Sequence, residues 1–469
     1  MNPSAKKENL RSLADMLGVG EAEASALLNT TVAITHSEND AVATQVAMQI
    51  DQMLSRTIER VTVNNVGTVN ASAEIVIGSA QPRHNSARVW VCFEKGRIVV
   101  AKERRPSDSS DVHSIGTLIA ACYACAATIQ LLIGDRLRQP APESYIVDLN
   151  ELLGGDEALL FSEADFEEAY LVGAGAIGNG FVAGLVLLPI RGKLHVVDDD
   201  DASDGNLQRC VMFGPSDVGK KKAEQLVAAA RRTSSLVEYE PRPLRLQNLP
   251  ERKAGAWLKR LVVAVDSPRA RRSLQNEFPG EVFDASTTGA AEIVFHYHRQ
   301  PTEGACLACV YPTNRDEQAR ERHVAESLGV SVADVMEIKI SPSAADKIVA
   351  KYPDLDRRNV VGQPYDTLFK GLCSSEKLFT EHGRDVLTPF AFVSTLAGAL
   401  LALEFFRRIH HGHLGIPNFW RVSPWNNPMP RNRRCLPRNA SCDFCGEPTL
   451  RNLAAELWRE LDGSASSAA

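Results

Sequence analysis

Three glycines, a run of aspartates, an arginine and a lysine carry the chemistry of this chain. Gly173, Gly175 and Gly178 stand in GAGAIGNG, which is followed by VVDDDD, then NLQR, then DVGKKK. A glycine turn between a strand and a helix lets backbone N–H groups approach a phosphate, because no Cβ stands in the way. Asp198 ends the next strand and is placed to bind a ribose hydroxyl, and to this point NAD fits as well as ATP. Arg209 and Lys222 separate the two readings. Both lie in the connection leaving the second strand, and their charges serve no nicotinamide chemistry. They suit a triphosphate whose α-phosphorus is under attack, where charge develops on bridging and equatorial oxygens. Asp266, at the end of the strand Leu261–Val265, is the natural Mg2+ ligand, since hard cations choose carboxylate oxygens. Each residue alone has a plainer reading: solvated surface for Arg209 and Lys220–Lys222, a helix N-cap for Asp266. All of them at strand ends point instead to ATP split between its α and β phosphates.

The cysteines add a second constellation. Cys306-Leu-Ala-Cys309 and Cys442-Asp-Phe-Cys445 form two CxxC pairs, enough for a closed tetrahedral Zn2+ site. Their separation is far longer than in a zinc finger, so two unrelated reduced pairs is the alternative. A third pair, Cys122 and Cys125, lies in an apolar stretch where small buried thiols are ordinary core residues. His410, His411 and His413 end a helix beside Gly412, where cations complement the helix dipole, and metal binding is not expected there. Cys373, in FKGLCSSEKLF, is the candidate nucleophile. Lys370 and Lys377 are near in sequence, and Ser374 or Ser375 as a helix cap would put the sulfur at a positive N-terminus that lowers its pKa. The plain alternative is an inert loop thiol.

The elements that must position these residues read as two α/β units. Residues 1–135 give a short helix (Glu8 to Leu17), a strand (Thr31–Thr35) and an amphipathic helix (Asp40 to Leu54). A strand (Val61–Val63), a hairpin (Arg88 to Lys102) and an apolar helix from Ile115 complete the unit. Its first strand-to-helix turn, THSENDA, has no glycine, so this unit is not expected to bind nucleotide. Residues 136–150 have linker character. Residues 151–447 repeat strand–helix alternation, with strands near Tyr170, Leu194, Val237, Leu261 and Val282, a mostly parallel sheet covered by helices on both faces. Residues 313–388 read as a polar insertion, followed by the helix Phe390–Arg408 and the strand Asn418–Val422. Residues 448–469 hold a last amphipathic helix and a disordered tail.

Composition excludes several classes. Of 469 residues 44% are hydrophobic and 23% charged, which suits packed soluble domains. With a net charge of −6 and no basic stripe interleaved with aromatics, nucleic acid is not an expected partner. The start MNPSAKKENLRS has no apolar run behind it, so no signal peptide is expected. Ile115–Gly134 is long and uncharged enough to span a bilayer, but its alanines with Thr117, Tyr123, Thr128 and Gln130 point to a buried helix between domains. No membrane is expected, and ten cysteines without a secretion signal imply a reducing, cytoplasmic setting.

From Ala169 to about Asp266 the chain resembles the ThiF-type adenylyltransferases, a family that includes ubiquitin-activating enzymes. The family pattern GxGGxG, DxD, SNLxRQ, GxxK and a strand-end Asp is matched by Gly173–Gly178, Asp198–Asp200, Gly205–Arg209, Gly219–Lys222 and Asp266. Ala176 stands where a glycine is usual, Gly205 for a serine and Cys210 for a glutamine; Ala176 still offers its N–H. The resemblance implies a Rossmann-like adenylation domain with the glycine turn and Asp198 to Asp200 around ATP. It places the phosphates on Asn206, Arg209 and Lys222, and Mg2+ on Asp266. Paired CxxC knuckles, the first just before a Tyr-Pro like Tyr311-Pro312, recur in the family and imply a structural Zn2+. A reactive cysteine in the segment before the helix Phe390–Arg408 would be Cys373. Ubiquitin-activating enzymes pair a catalytic with a degenerate fold, so residues 1–135 look like the degenerate partner, an internal pseudo-dimer within a monomer or a homodimer. Arg11 would be the N-terminal arginine that reaches the phosphates.

The expected activity is therefore adenylation of the C-terminal carboxylate of a ubiquitin-like protein ending in glycine. Thioester formation on Cys373 and transfer to a conjugating enzyme would follow. Two alternatives stand beside it: a sulfur-carrier adenylyltransferase of the thiamine or molybdopterin type, without a covalent thioester, and a non-catalytic nucleotide-bound scaffold.

Overall fold

Runs of β-branched and aliphatic residues assemble into two separate sheets, and the alanine-rich helices fill the space around them. The computed structural model describes residues 3–65, 70–134, 142–233, 235–313, 315–337, 339–363, 365–372, 389–411 and 417–459. The chain divides into two units, Met1–Tyr311 with Thr388–Ala469, and Pro312–Leu387.

The first unit opens with helices α1 (Pro3–Leu17) and α2 (Glu21–Leu28). The strands that follow are β1 (Thr31–His36), β2 (Arg60–Val63), β3 (Ala73–Ile77), β4 (Ala87–Glu94), β5 (Arg97–Ala101) and β6 (Ser144–Asp148). They lie in the order β2-β1-β3-β4-β5-β6, parallel as far as β4 and antiparallel from there. Helix α3 (Ala41–Leu54) buries Ala43, Val46, Ala47, Ile50, Met53 and Leu54, the spacing of one helical face. Helix α4 (Ser114–Ile133) is the apolar stretch: it alone among the described residues is long and apolar enough to cross a bilayer, yet 83% of that window is buried inside the fold. It is a core helix, as its threonines and Gln130 imply.

Two strands here differ from the sequence reading. The linker expected over 136–150 is, at Ser144–Asp148, the edge strand β6, paired to β5 through Ser144↔Ala101 and Tyr145↔Val100. The prolines that suggest a linker, Pro140 and Pro142, lie before the strand rather than in it. Strand β3, absent from the reading, is fully buried and carries Glu74. That carboxylate breaks the apolar pattern, but it accepts from the Thr35 hydroxyl at 2.7 Å and the Arg83 N–H at 2.7 Å, which makes its burial tolerable.

The second sheet is built from β7 (Ala164–Val172), β8 (Ile190–Val197), β9 (Val237–Arg242), β10 (Arg260–Val263), β11 (Glu281–Thr288), β12 (Glu292–Arg299) and β13 (Phe419–Val422). Their order is β13-β12-β11-β10-β7-β8-β9, with the five strands from β11 to β9 parallel and β12 and β13 antiparallel. The order reverses between β7 and β10, the place where an open α/β sheet leaves a crevice for ligand. Helices α5 (Leu149–Leu152), α6 (Ala176–Leu185), α7 (Lys222–Ala230), α8 (Pro250–Lys253), α9 (Pro268–Gln275) and α10 (Leu307–Val310) complete the run to Tyr311.

Residues 312–387 form the second unit, all helical where described: α11 (Arg315–Leu328), α12 (Val332–Met336), α13 (Pro342–Lys351), α14 (Arg357–Val360) and α15 (Tyr365–Leu372). It has its own core of Val324, Leu328, Ile340, Ile348, Leu368 and Phe369. Ser331, Ser341 and Asp356 cap three of its helices.

The first unit resumes with α16 (Ala391–His411) and ends with α17 (Pro448–Leu457). Helix α16 crosses α6 at a glycine contact. A Cβ on Gly398 would lie 2.2 Å from the Gly180 carbonyl carbon, and one on Gly184 3.0 Å from Ala399 Cα. Phe405 of α16 meets Phe166, Phe181 and Phe283 at 5.3, 5.7 and 4.8 Å, tying α16 to β7, α6 and β11. The helix that follows the glycine turn is thereby held in a dense core.

Candidate active site

The turn from β7 into α6 is as tight as its glycines allow. Gly173 has φ +104°, and a Cβ there would stand 2.6 Å from the Ala264 carbonyl oxygen of the neighbouring strand end. A Cβ on Gly178 would stand 2.1 Å from the Gly173 carbonyl oxygen. Gly175 differs: it is the N-cap of α6 at φ −75°, with open space where its Cβ would be and no side chain capping the helix. The first N–H groups of α6 are thus left to whatever anion comes to them. At the corresponding turn of the first sheet, Asp40 caps α3 by accepting from Ala43 N at 3.0 Å, and Ser109 Oγ donates to the same carboxylate at 3.1 Å. A side-chain carboxylate fills the place that a phosphate would take.

Asn179, which sequence reasoning passed over, holds this turn together. Its Nδ2 donates to the Ala174 and Gly175 carbonyls at 2.9 Å each, and its Oδ1 accepts from Met212 N at 3.1 Å. It therefore binds the glycine turn to the segment that carries Asn206 and Arg209. The available signal was a carboxamide in the first turn of an otherwise apolar helix.

Asp198, Asp200 and Lys222 come together as expected. Asp198 accepts from Ala174 N at 2.7 Å and from Asp200 N at 2.9 Å, one bond on each oxygen, so each keeps a lone pair. Lys222 Nζ donates to Asp200 Oδ2 at 3.1 Å. Burial pushes the Asp198 carboxyl up, and the neighbouring Lys222 charge only partly offsets it. For Lys222 burial pulls the ammonium down, but Asp198 and Asp200 outweigh it and leave the net shift upward. Lys222 is therefore a cation at any working pH. It also opens α7, after the Gly219 turn at φ +81°. Lys221, by contrast, faces out and pairs with Asp201 at 2.8 Å.

Asn206 lies in a short 3-10 turn, Asp204–Asn206, and its side-chain oxygen accepts from Ser203 N at 2.9 Å. Arg209 follows, with Nη1 donating to Gln208 Oε1 at 3.4 Å. Cys210 is fully buried, and burial raises its thiol despite the charges of Arg209, Lys222 and Arg56 around it. Helix α1, which carries Arg11, packs against the same 3-10 turn. Asp266 stands exposed just beyond β10, the strand whose following Ala264 abuts Gly173. The helix cap at α9 is made by Ser267, which accepts from Ala270 N at 3.1 Å, so that task does not fall to Asp266. The carboxylates of Asp198, Asp199 and Asp200 also lie within 4.8 Å of one another, a second group of hard oxygen ligands.

The four cysteines of the two CxxC pairs meet across 136 residues of chain: Cys306 to Cys442 at 3.7 Å, Cys309 to Cys445 at 3.2 Å and Cys306 to Cys309 at 3.9 Å between sulfurs. A tetrahedron of sulfurs at the usual Zn–S length has an edge of about 3.8 Å, so the set fits a metal held by four thiolates. Asn439 N donates to Cys309 Sγ at 3.4 Å, as thiolate ligands commonly require. The knuckles are positioned by Asn418, which bonds both to Leu436 N at 2.6 Å and to Leu436 O at 3.2 Å. Phe444 packs on Phe278 at 5.1 Å, and Trp458 Nε1 donates to Phe278 O at 2.8 Å, fastening α17 to this corner. Cys122 and Cys125 are buried in α4, as expected of core thiols. Cys373, Gly412 and His413 lie outside the described residues.

Residues 1–148 match the E1 N-terminal domain and residues 164–444 match the ThiF family. The uncharacterized protein y4jF of Sinorhizobium fredii is 25% identical over 349 residues, covering 70% of this chain and 66% of that protein. The SAMP-activating enzyme E1 of Haloferax volcanii is 32% identical over 148 residues, covering 30% of this chain and 52% of that enzyme. The chain thus spans about two thirds and about half the length of these two relatives. Among solved structures, E. coli MccB with ATP is similar over 76% of this chain and 98% of that one, at a TM-score of 0.35 and 13% identity. E. coli MccB alone is similar over 77% and 95%, at 0.35 and 14%. With a ThiF match over most of its length and an E1 N-terminal domain before it, the chain belongs to the ThiF family of nucleotide-dependent adenylyltransferase folds.

Proposed function

We propose that this chain uses ATP to adenylate the C-terminal carboxylate of a small ubiquitin-like or sulfur-carrier protein. The observation that carries the reading is the open, uncapped end of α6 facing the ion-paired set of Asp198, Asp200 and Lys222. A carrier carboxylate oxygen attacks the α-phosphorus, the bond from that phosphorus to the bridging oxygen breaks, and pyrophosphate leaves with the electron pair. Lys222 and Arg209 stabilise the charge that grows on the phosphate oxygens, and the N–H groups of the glycine turn, Ala176 included, hold the phosphates. Asp198 takes the ribose through its remaining lone pairs, and Asn206 contacts phosphate through its amide. Asp266 would hold Mg2+, which supplies charge neutralisation at the phosphates. Cys306, Cys309, Cys442 and Cys445 would hold a structural Zn2+. The first sheet is a degenerate partner that leaves nucleotide to the second.

The product in this reading is the carrier adenylate, handed on without a covalent enzyme thioester. A second reading adds a thioester on Cys373 and a conjugating enzyme as acceptor. It is favoured by the E1 N-terminal domain match and by the likeness to a SAMP-activating enzyme E1. Mixing the chain with ATP and carriers ending in free glycine tests both. Adenylate without a thiol-labile adduct supports the first reading, and an adduct lost in Cys373→Ala supports the second.

A further inference from the structure

The segment that carries Asn206 and Arg209 is gripped from outside its own sheet. Arg56, in the turn after α3, donates from Nη2 to the Val211 and Phe213 carbonyls at 3.1 and 3.0 Å and from Nη1 to the Leu207 carbonyl. Its Nε donates to Gln52 O at 3.0 Å, which aims the guanidinium. Gln52 Nε2 adds a bond to Val211 O at 2.7 Å. Asn9, fully buried on α1, donates to Arg56 O at 2.6 Å and accepts from Gln208 Nε2 at 2.7 Å. Opposite this grip, Asn179 of α6 takes the N–H of Met212. The segment from Leu207 to Phe213 is thus pinned by its carbonyls to one half of the chain and by an N–H to the other. A guanidinium is suited to the task because it is a rigid, planar fork of five donors.

We propose that Arg56 is a positioning residue for the phosphate site. By holding the Leu207, Val211 and Phe213 carbonyls it sets where Asn206 and Arg209 stand, so the N-terminal half tunes ATP affinity without binding nucleotide itself. This rests on the adenylation reading above.

The test uses the full chain, Mg2+ and the non-cleavable analogue α,β-methylene ATP, with binding read by calorimetry and backbone opening by hydrogen exchange. Arg56→Met is expected to bind the analogue about tenfold more weakly, since small misplacement of a phosphate-site group is enough for such a loss. Amides in 206–213 exchange faster while those of Ala176–Leu185 keep wild-type rates. Arg56→Lys recovers little, because one ammonium does not span three carbonyls. Wild-type affinity in a folded Arg56→Met overturns the proposal, and so does exchange that rises equally everywhere. Should Arg56→Met fail to fold, Arg56→Lys carries the test: it keeps the charge but not the three carbonyl bonds, and wild-type affinity and exchange in it overturn the proposal too. A wild-type chain that does not bind the analogue, matching a Lys222→Ala control, sinks the adenylation reading itself rather than the grip.

Discussion

Lys222 and Arg209 differ in what holds them, and their variants should differ accordingly. Lys222 is locked to Asp200 and offsets the half-buried Asp198, so Lys222→Ala would, on the proposed reading, remove a phosphate ligand and leave two carboxylates without their cation. We expect pyrophosphate exchange to fall about 100- to 1,000-fold, with a lower melting temperature in the absence of nucleotide. Arg209 bonds only weakly within its own segment, so Arg209→Ala should lose exchange on a similar scale while melting like wild type. The pH dependence follows from Lys222. Its folded pKa is raised above the ordinary 10.5, so its contribution to stability is complete below 10.5 and is lost as pH rises through the folded value. The stability gap between wild type and Lys222→Ala should therefore narrow at strongly alkaline pH in a denaturant titration. At this scale the glycine turn and the meeting of Asp198, Asp200 and Lys222 were readable in the sequence, because glycines, strand-end carboxylates and a lysine at a fixed offset are local signals. Asn179 was not, since a carboxamide inside an apolar helix declares its partners only once Met212 is brought to it.

At the scale of elements, glycine positions separate fold from function. Gly175 faces open space at an ordinary φ, so Gly175→Ala should fold and melt like wild type yet, on the proposed reading, bind ATP poorly, the added methyl standing where a phosphate would approach. Gly398 touches the α6 backbone, so Gly398→Ala forces the two helices apart. A cost of about 1–3 kcal/mol or more is expected for such overpacking, read as a lowered denaturation midpoint. The cysteine corner has its own test. Metal analysis should find about one Zn2+ per chain, and a chelator or Cys309→Ser should lower the melting temperature and loosen α17 in hydrogen exchange. The strands were less legible than the turn. β12 reads as polar from His296 and His298, both of which are buried, and β3 is masked by the buried Glu74. His296 reaches the Ala305 carbonyl and Glu74 the Thr35 hydroxyl and the Arg83 N–H, contacts that alternation along a strand does not reveal.

At the scale of the molecule, both sheets of the first unit run parallel and end in two antiparallel strands, six strands in one and seven in the other, and their first strand-to-helix turns differ. In the first, Asp40 closes the helix end with its own carboxylate; in the second, glycine leaves the helix end open. That contrast was visible in THSENDA against GAGAIGNG. The traffic between the halves through Asn9, Gln52 and Arg56 was not, because contacts between residues more than 150 positions apart leave no periodic trace. The measurement that bears most directly on the central claim is carrier-dependent exchange of labelled pyrophosphate into ATP. With the full chain, Mg2+ and a small carrier ending in free glycine, exchange should appear, require the carrier's terminal carboxylate, and fall about 100-fold or more in Lys222→Ala. Exchange that is absent from wild type with every such carrier, or that survives unchanged in Lys222→Ala, would contradict it.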